Sequence, residues 1–302
     1  MSNLSDLFPS SGAQIIDQQT FTASGTWTKP AGVLPTDTVI VDLWGGGGSG
    51  GVHFSQSSLN TGAGGSGGGH NQVEFQASDL LPSEPVTVGA GGAAVTVLAG
   101  ATNSALGADG GYSEFKGARA YGGGGGSGAG PGNSGSGGGR DGPGQNGDPV
   151  ANALGGDPQV LYPLNYNGPA FNGSSSNSAR WGPGEWGGAC AQTSTELQFR
   201  ALHGGAAAAL NNARFTRDSV WGGAAGGAHI NNALQAVGGR STFGGNGGDA
   251  PVPTATNGVN YNGNAGQPRG GGGSGAKKGN TASGATSGAG GRGEVVITII
   301  RR

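Results

Sequence analysis

"TVIVDLWGGGGSGG", Thr38 to Gly51, runs from an apolar β-type segment straight into glycine. Gly45, Gly47 and Gly50 spell G-x-G-x-x-G directly after that segment, the lettering of a dinucleotide-binding turn. Such a turn needs a helix behind the glycines, because the pyrophosphate rests on the helix N-terminus. The residues that follow, "VHFSQSSLNTGAGGSGGGH", place no apolar side chains at helical spacing and return to glycine. No acidic residue closes a second strand where a ribose partner is expected. The stretch is therefore a strand feeding a glycine run, and the glycines need a different purpose.

Composition sharpens the question. Of 302 residues, 72 are Gly and 15 are Pro, a share otherwise typical of low-complexity chains. Good strand segments at both ends argue for a folded chain. The G-X-Y register breaks within two triplets of "YGGGGGSGAGPGNSGSGGG", which excludes collagen. Hydrophobic residues are only 33% of the chain, many of them alanine, so an aliphatic core cannot offset the entropy of ordering so much glycine. Backbone hydrogen bonding and close main-chain approach must contribute instead. Two arrangements would provide them, arrays of tight turns or packed polyproline II-like runs bonded laterally, and the sequence leaves both open. A net charge of −2 with no basic stripe argues against a nucleic-acid partner. No apolar run approaches the ~20 residues of a membrane span, and the start "MSNLSDLFPSSG" lacks the basic and apolar regions of a signal peptide. A single cysteine, Cys190, excludes an intrachain disulfide, and synthesis in a cytoplasm is expected.

The expected fold is all-β, a β-sandwich-like core built from the N- and C-terminal strands, with an extended glycine-rich loop or polyglycine-helix region between them. Residues 1–20 read as an arm, and 21–302 as a glycine-rich β domain with inserted loops over about 122–290. "TFTASGTWT", "DTVIVDLW", "NQVEFQA", "EPVTV" and "AAVTVL" are the early strands, with Val73, Phe75 and Ala77 on one face, Val86 and Val88 on another, and a glycine turn after Val88. "GEVVITIIRR" is apolar on both faces, which predicts a central strand paired with "TVIVDLW". A loose repeat joins "GGYSEFKGARAYGGGGG", "DSVWGGAAGGA" and "GGRSTFGGNGGDA": an aromatic follows a short polar residue and precedes glycines. The ring is read as a packing anchor on which neighbouring backbones close.

"FTASGTWTKPAGV", "DTVIVDLWGGGGSGG", "VTVGAGG", "GRSTFGGNGG" and the terminal "GRGEVVITI" occur in the order found in the glycine-rich domain of bacteriophage tail-fibre and receptor-recognising tail proteins. The chain resembles that family from about Phe21 to Ile300. The resemblance implies a non-enzymatic virion component of the distal tail, a fibre or adhesin made in the host cytoplasm and carried on the particle. Some relatives are trimeric fibres, which implies a homotrimer; others are tip adhesins with a layer of polyglycine helices and variable loops. The arm resembles the N-termini of phage virion proteins, which implies attachment to other tail proteins through Leu4, Leu7 and Phe8. The non-glycine inserts "DPVANALGGDPQVLYPLNYNGPAFNG" and "CAQTSTELQFRALHGG" depart from the compact tip form.

Chemistry-bearing residues are sparse. Cys190, His203 and His229 match neither zinc nor nucleophile spacing, and read as a small buried thiol and two surface imidazoles. "GGNGGDAPV", Gly244 to Val252, approaches a calcium β-roll repeat, but Pro251 replaces the bulky apolar residue and the copy is single. Asp141, Asp148, Asp157 and Asp249 then read as turn formers. With no paired carboxylates standing out, the expectation is no enzyme, no metal and no cofactor. Recognition of a host cell-surface glycan or outer-membrane protein, without membrane insertion, falls to exposed rings on the loops: Tyr162, Tyr166, Phe171, Trp181 and Trp186. The alternatives are a purely structural tail or decoration subunit, and a polysaccharide depolymerase.

Overall fold

The computed structural model describes residues 14–56, 58–128, 137–139, 142–144, 146–147, 203, 218–228, 237–252, 254, 259–280 and 283–301. The described chain is all-β. Its larger strands form two four-stranded sheets. The first has the order β1-β12-β3-β5, with β1 Gln14–Phe21, β3 Thr38–Trp44, β5 His70–Gln76 and β12 Glu294–Arg301. The second has the order β2-β6-β8-β9, with β2 Gly25–Thr28, β6 Ser83–Thr87, β8 Ser113–Phe115 and β9 Ala118–Ala120. All neighbours within these sheets are antiparallel.

Alternation explains how the sheets close. Val39, Val41 and Leu43 of β3 and Val295, Ile297 and Ile299 of β12 point into one core, where they meet Trp27, Val86 and Phe115 from the second sheet. Trp27 and Phe115 pack edge to face with ring centres 5.9 Å apart. β12 is indeed internal, paired with β3 from Glu294↔Trp44 to Ile300↔Thr38. Val73 and Phe75 pack on the core from β5 as the alternation predicts, and Ala77, the first residue of a short 3-10 turn, Ala77–Asp79, is buried in the same core. β1 begins at Gln14, so residues 14–20 of the segment read as an arm belong to the first sheet. "AAVTVL" contributes only the two-residue strand β7, Thr96–Val97.

Beyond the sandwich the strands continue as glycine runs. β3 leads into 45–51, β6 into 89–92 and β9 into 122–128; 62–69 leads into β5, 105–111 towards β8, and 287–293 into β12. The glycines after Val88 are thus a run and not a turn. Residues 45–51 lie at the centre. Gly45, Gly48 and Gly51 donate their N–H to the carbonyls of Gly69, Ser66 and Ala63; Gly46 and Ser49 donate to Gly111 and Ala108; Gly47 and Gly50 donate to Gly291 and Gly288. The partner segment changes with every residue and returns at every third, while the partner's number falls by three. That pattern identifies a threefold extended helix, the polyproline II geometry, antiparallel to those three neighbours.

The carbonyls face three other segments. Gly46 and Ser49 accept from Gly123 and Gly126, Gly48 and Gly51 from Gly273 and Ala276, and Gly47 from Gly92. All of these bonds measure 2.8 to 3.0 Å. The central run is therefore bonded on every side, and of the two arrangements the sequence left open, laterally bonded runs are the one adopted. Further runs at 222–228, 238–240, 244–250 and 263–267 extend the lattice outward; Gly223 and Gly226, for example, donate to Gly68 and Gly65.

Glycine is required here by space. A Cβ on Gly48 would stand 2.2 Å from the Gly124 carbonyl oxygen, and one on Gly50 would stand 2.0 Å from that of Ser274. The Cα hydrogens occupy those directions, aimed at neighbouring carbonyls in the manner of weak C–H···O contacts. A smaller core closes the far end, where β4 (Val52–Phe54) pairs in parallel with β10 (Ala276–Lys278), and β7 pairs with β11 (Ala285–Thr286). Val52, Val97, Ala276 and Ala285 are buried there.

Candidate functional site: the waist and the tip

Two regions gather side chains at the ends of the glycine runs. The first is the waist, where strands become glycine runs. The register β3–β5 sets Trp44 opposite His70, and β3–β12 sets Trp44 opposite Glu294. Trp221 and Phe243 each precede a glycine run, as the aromatic-then-glycine repeat anticipates. The chain turns at Arg269 and Gly270, whose φ values of 67° and 81° are both left-handed.

These residues build one stack. Arg269 lies over the Trp44 ring at 4.6 Å and donates Nε–H to Glu294 at 2.8 Å. Trp44 tilts onto His70 at 4.8 Å and donates its indole N–H to the Trp221 carbonyl at 2.8 Å. Trp221 lies nearly parallel to both His70 and His203, at 5.5 and 6.0 Å, and Phe243 covers Trp221 at 4.0 Å. Phe243 is 43% exposed and forms the outer surface of the stack. His203 is half-buried within it, where a surface imidazole was expected. Burial first, and then the His70 imidazole, lowers its pKa to about 4, against the opposing pull of Asp42. Its backbone carbonyl accepts the His70 N–H at 2.7 Å.

The second region is the end opposite the sandwich. The turns after 51, 92 and 250 and the segments around β10 and β11 gather there. Leu98, Leu106, Val252 and Val259 are exposed on these loops, Leu98 most of all at 71%. Lys277 and Lys278 are buried beneath them. Burial lowers the pKa of Lys277, whose Nζ stands 5.8 Å from the Tyr261 ring centre.

The rings expected to face a receptor, Tyr162, Tyr166, Phe171, Trp181 and Trp186, lie outside the described residues, as do Leu4, Leu7 and Phe8 of the arm. Cys190, His229, Asp141, Asp148 and Asp157 lie outside them too. Asp249 accepts the Gly238 N–H at 2.7 Å, a backbone-shaping role of the kind expected for a turn aspartate. Among the described residues no group of three His, Cys, Asp or Glu is placed to hold a metal ion, and no helix is long and apolar enough to cross a membrane. The sequence reading missed Trp44, His70 and Arg269 as a unit. Their one signal was position, each residue standing at the border of a glycine run.

A family model described as a glycine-rich domain matches residues 18–299. No curated protein sequence matches the chain.

Proposed function

The chain belongs to the glycine-rich domain family, and we propose that it is a display body of the bacteriophage distal tail, a tail fibre or adhesin that takes part in host-surface recognition. One observation supports this most. The body has two unlike ends. Gln14 pairs with Arg301 at the base of the first sheet, so the described chain begins and ends there, beside exposed Ile15, Leu34 and Leu81, while the loops bearing exposed Leu98, Leu106, Val252 and Val259 gather at the opposite tip. Strands of about 7 residues at ~3.3 Å per residue, continued by glycine runs at ~3.1 Å, separate the two ends by roughly 40 Å.

That geometry suits a part held at its base by other tail proteins, through the arm bearing Leu4, Leu7 and Phe8, and read at its tip by a host glycan or outer-membrane protein. The lattice holds the tip in place chiefly through main-chain hydrogen bonds, with a small core of Val52, Val97, Ala276 and Ala285 beneath the loops, which leaves the composition of the exposed loops free. The reading assigns the body no catalysis. Many weak tip contacts become strong when several copies act together on a particle, and the homotrimer implied by the family resemblance belongs to this proposal.

The test uses the full chain, fluorescently labelled, on a panel of bacterial cells. Binding to a subset of strains is expected. Replacing Tyr162, Tyr166 and Trp186 by alanine, or inserting a short Gly-Ser peptide at Gly100, should abolish binding with the melting temperature unchanged. Failure to bind any strain, with normal incorporation of both variants into particles, would make the chain a structural tail subunit.

A further inference from the structure

The hairpin of β8 and β9 presents a group of side chains that neither the lattice nor the tip uses. Its turn is two residues long, and Lys116 and Gly117 both have left-handed φ, 45° and 81°. That is the type I′ geometry, which pins a tight hairpin in register. Glu114 therefore stands opposite Arg119, one pair in from Phe115 and Ala118. Side chains alternate from there. Ser113, Phe115 and Ala120 are buried beneath the hairpin. Tyr112, Glu114, Arg119 and Tyr121 fall on its outer face, two from each side.

These four side chains form one ordered cluster. Arg119 donates its Nε–H to Glu114 Oε2. Its guanidinium lies over the Tyr112 ring, 4.7 Å from the centre, and the Tyr121 ring tilts against Tyr112 at 6.1 Å. The Tyr121 side chain and then Glu114 hold the guanidinium charged, which raises its pKa. The cluster still faces solvent: Tyr112 is 42% exposed, and the side chains of Arg119 and Glu114 are 41% and 27% exposed. A ligand arriving there meets an aromatic ring, the Nη–H donors of a guanidinium whose Nε is engaged, and Glu114 Oε1 as an acceptor. The cation and the anion cancel, and Lys116 in the turn is engaged by Glu84 and by the Asp79 carbonyl. A charged ligand gains little from such a pair, because one partner attracts it and the other repels it. A pyranose ring suits it. The C–H face of the sugar packs on the aromatic ring, and each neighbouring hydroxyl both donates and accepts.

We propose that the outer face of the β8–β9 hairpin binds a neutral saccharide, with Tyr112 as the stacking platform and the Arg119–Glu114 pair as the reader of adjacent hydroxyls. The site lies on the second sheet, so it does not depend on what the tip loops bind. Because it matches no net charge, its affinity is insensitive to salt.

The test titrates the isotope-labelled full chain by NMR with cellotriose, mannotriose and maltotriose, and with trigalacturonate as the charged counterpart. At least one neutral trisaccharide should shift the amides of residues 112–121 in a saturable way, with an affinity unchanged by added salt. Tyr112→Ala should weaken that binding about 10-fold, while Tyr112→Phe, which keeps the ring, should retain it. Arg119→Lys keeps the charge but loses the planar fork, and should also weaken binding. Both positions are exposed, so the variants should melt near the parent. The Gly-Ser insertion at Gly100 should leave this binding unchanged, which separates the site from the tip. The proposal is overturned by a response to trigalacturonate alone, by no response at 112–121 to any neutral trisaccharide, or by a Tyr112→Ala protein that binds as tightly as the parent.

Discussion

Gly48→Ala tests the lattice at its centre. The added methyl would stand 2.2 Å from the Gly124 carbonyl oxygen, whereas a carbon and an oxygen normally approach to about 3.3 Å. The obstacle is backbone, so the run 122–128 must move by roughly 1 Å. That run is tied by Gly123 to Gly46, by Gly126 to Ser49 and by Ser66 to Gly124, at 2.9 to 3.0 Å. Such a movement breaks two of these bonds or more between buried segments, at about 1–3 kcal/mol for each unsatisfied group. Alanine also restricts the unfolded chain, which returns about 0.4–1 kcal/mol. For two such groups the net loss is about 1–5 kcal/mol, against the ~5–15 kcal/mol of an ordinary domain. At ~2–4 °C per kcal/mol the melting temperature should fall by several degrees, up to about 20 °C, in a circular-dichroism melt. Gly25→Ala is the control, since its Cβ meets only Phe21 Cδ1 at 4.0 Å; it should melt within about 2 °C of the parent. A Gly48→Ala protein that melts alongside the control would refute lateral main-chain packing as the source of stability.

Ser113→Ala should cost about 1–3 kcal/mol in urea denaturation, because its buried hydroxyl donates to the Trp44 carbonyl at 2.6 Å and accepts the Gly89 N–H at 2.9 Å. Trp221→Ala should lower stability by about 2–3 kcal/mol and speed exchange of the Gly223 and Gly226 amides, since it removes the ring between His70 and Phe243. Asp37 is held down to about pKa 2, chiefly by its hydrogen bonds from Arg301, with burial opposing. A lowered carboxyl contributes stability above its unfolded pKa near 3.8 and loses it as pH falls through about 2. Asp37→Asn should therefore lower the urea midpoint at pH 7 and flatten the parent's decline between pH 4 and 2.

How much of this could be read beforehand follows from where the information sits. Val295, Ile297 and Ile299 advertise their strand because a side chain marks every second position, and the internal place of β12 beside β3 follows from its being apolar on both faces. The lattice leaves no such marks. A run such as 62–69 is nearly featureless as text, and which segment lies beside it depends on a three-residue phase that glycine does not record. The waist was legible only in part. Trp221 and Phe243 stood out as aromatics before glycines, while the meeting of Trp44 with His70 depends on a strand register 26 residues apart in the chain. His203 could not be located at all, because nothing near it in sequence names the wall it packs against.

The threefold phase of the glycine runs also constrains how such a chain can change length. Adding one residue inside 45–51 would turn everything beyond it by a third of a revolution, and each N–H that had faced 62–69 would face 105–111 or 287–293 instead. Adding three restores every facing and merely lengthens the rod by about 9 Å. Insertions and deletions within the rods are therefore tolerable in triplets, while the tip loops, which carry no phase, can change by any number. A body built this way has a quantised shaft and an unquantised head.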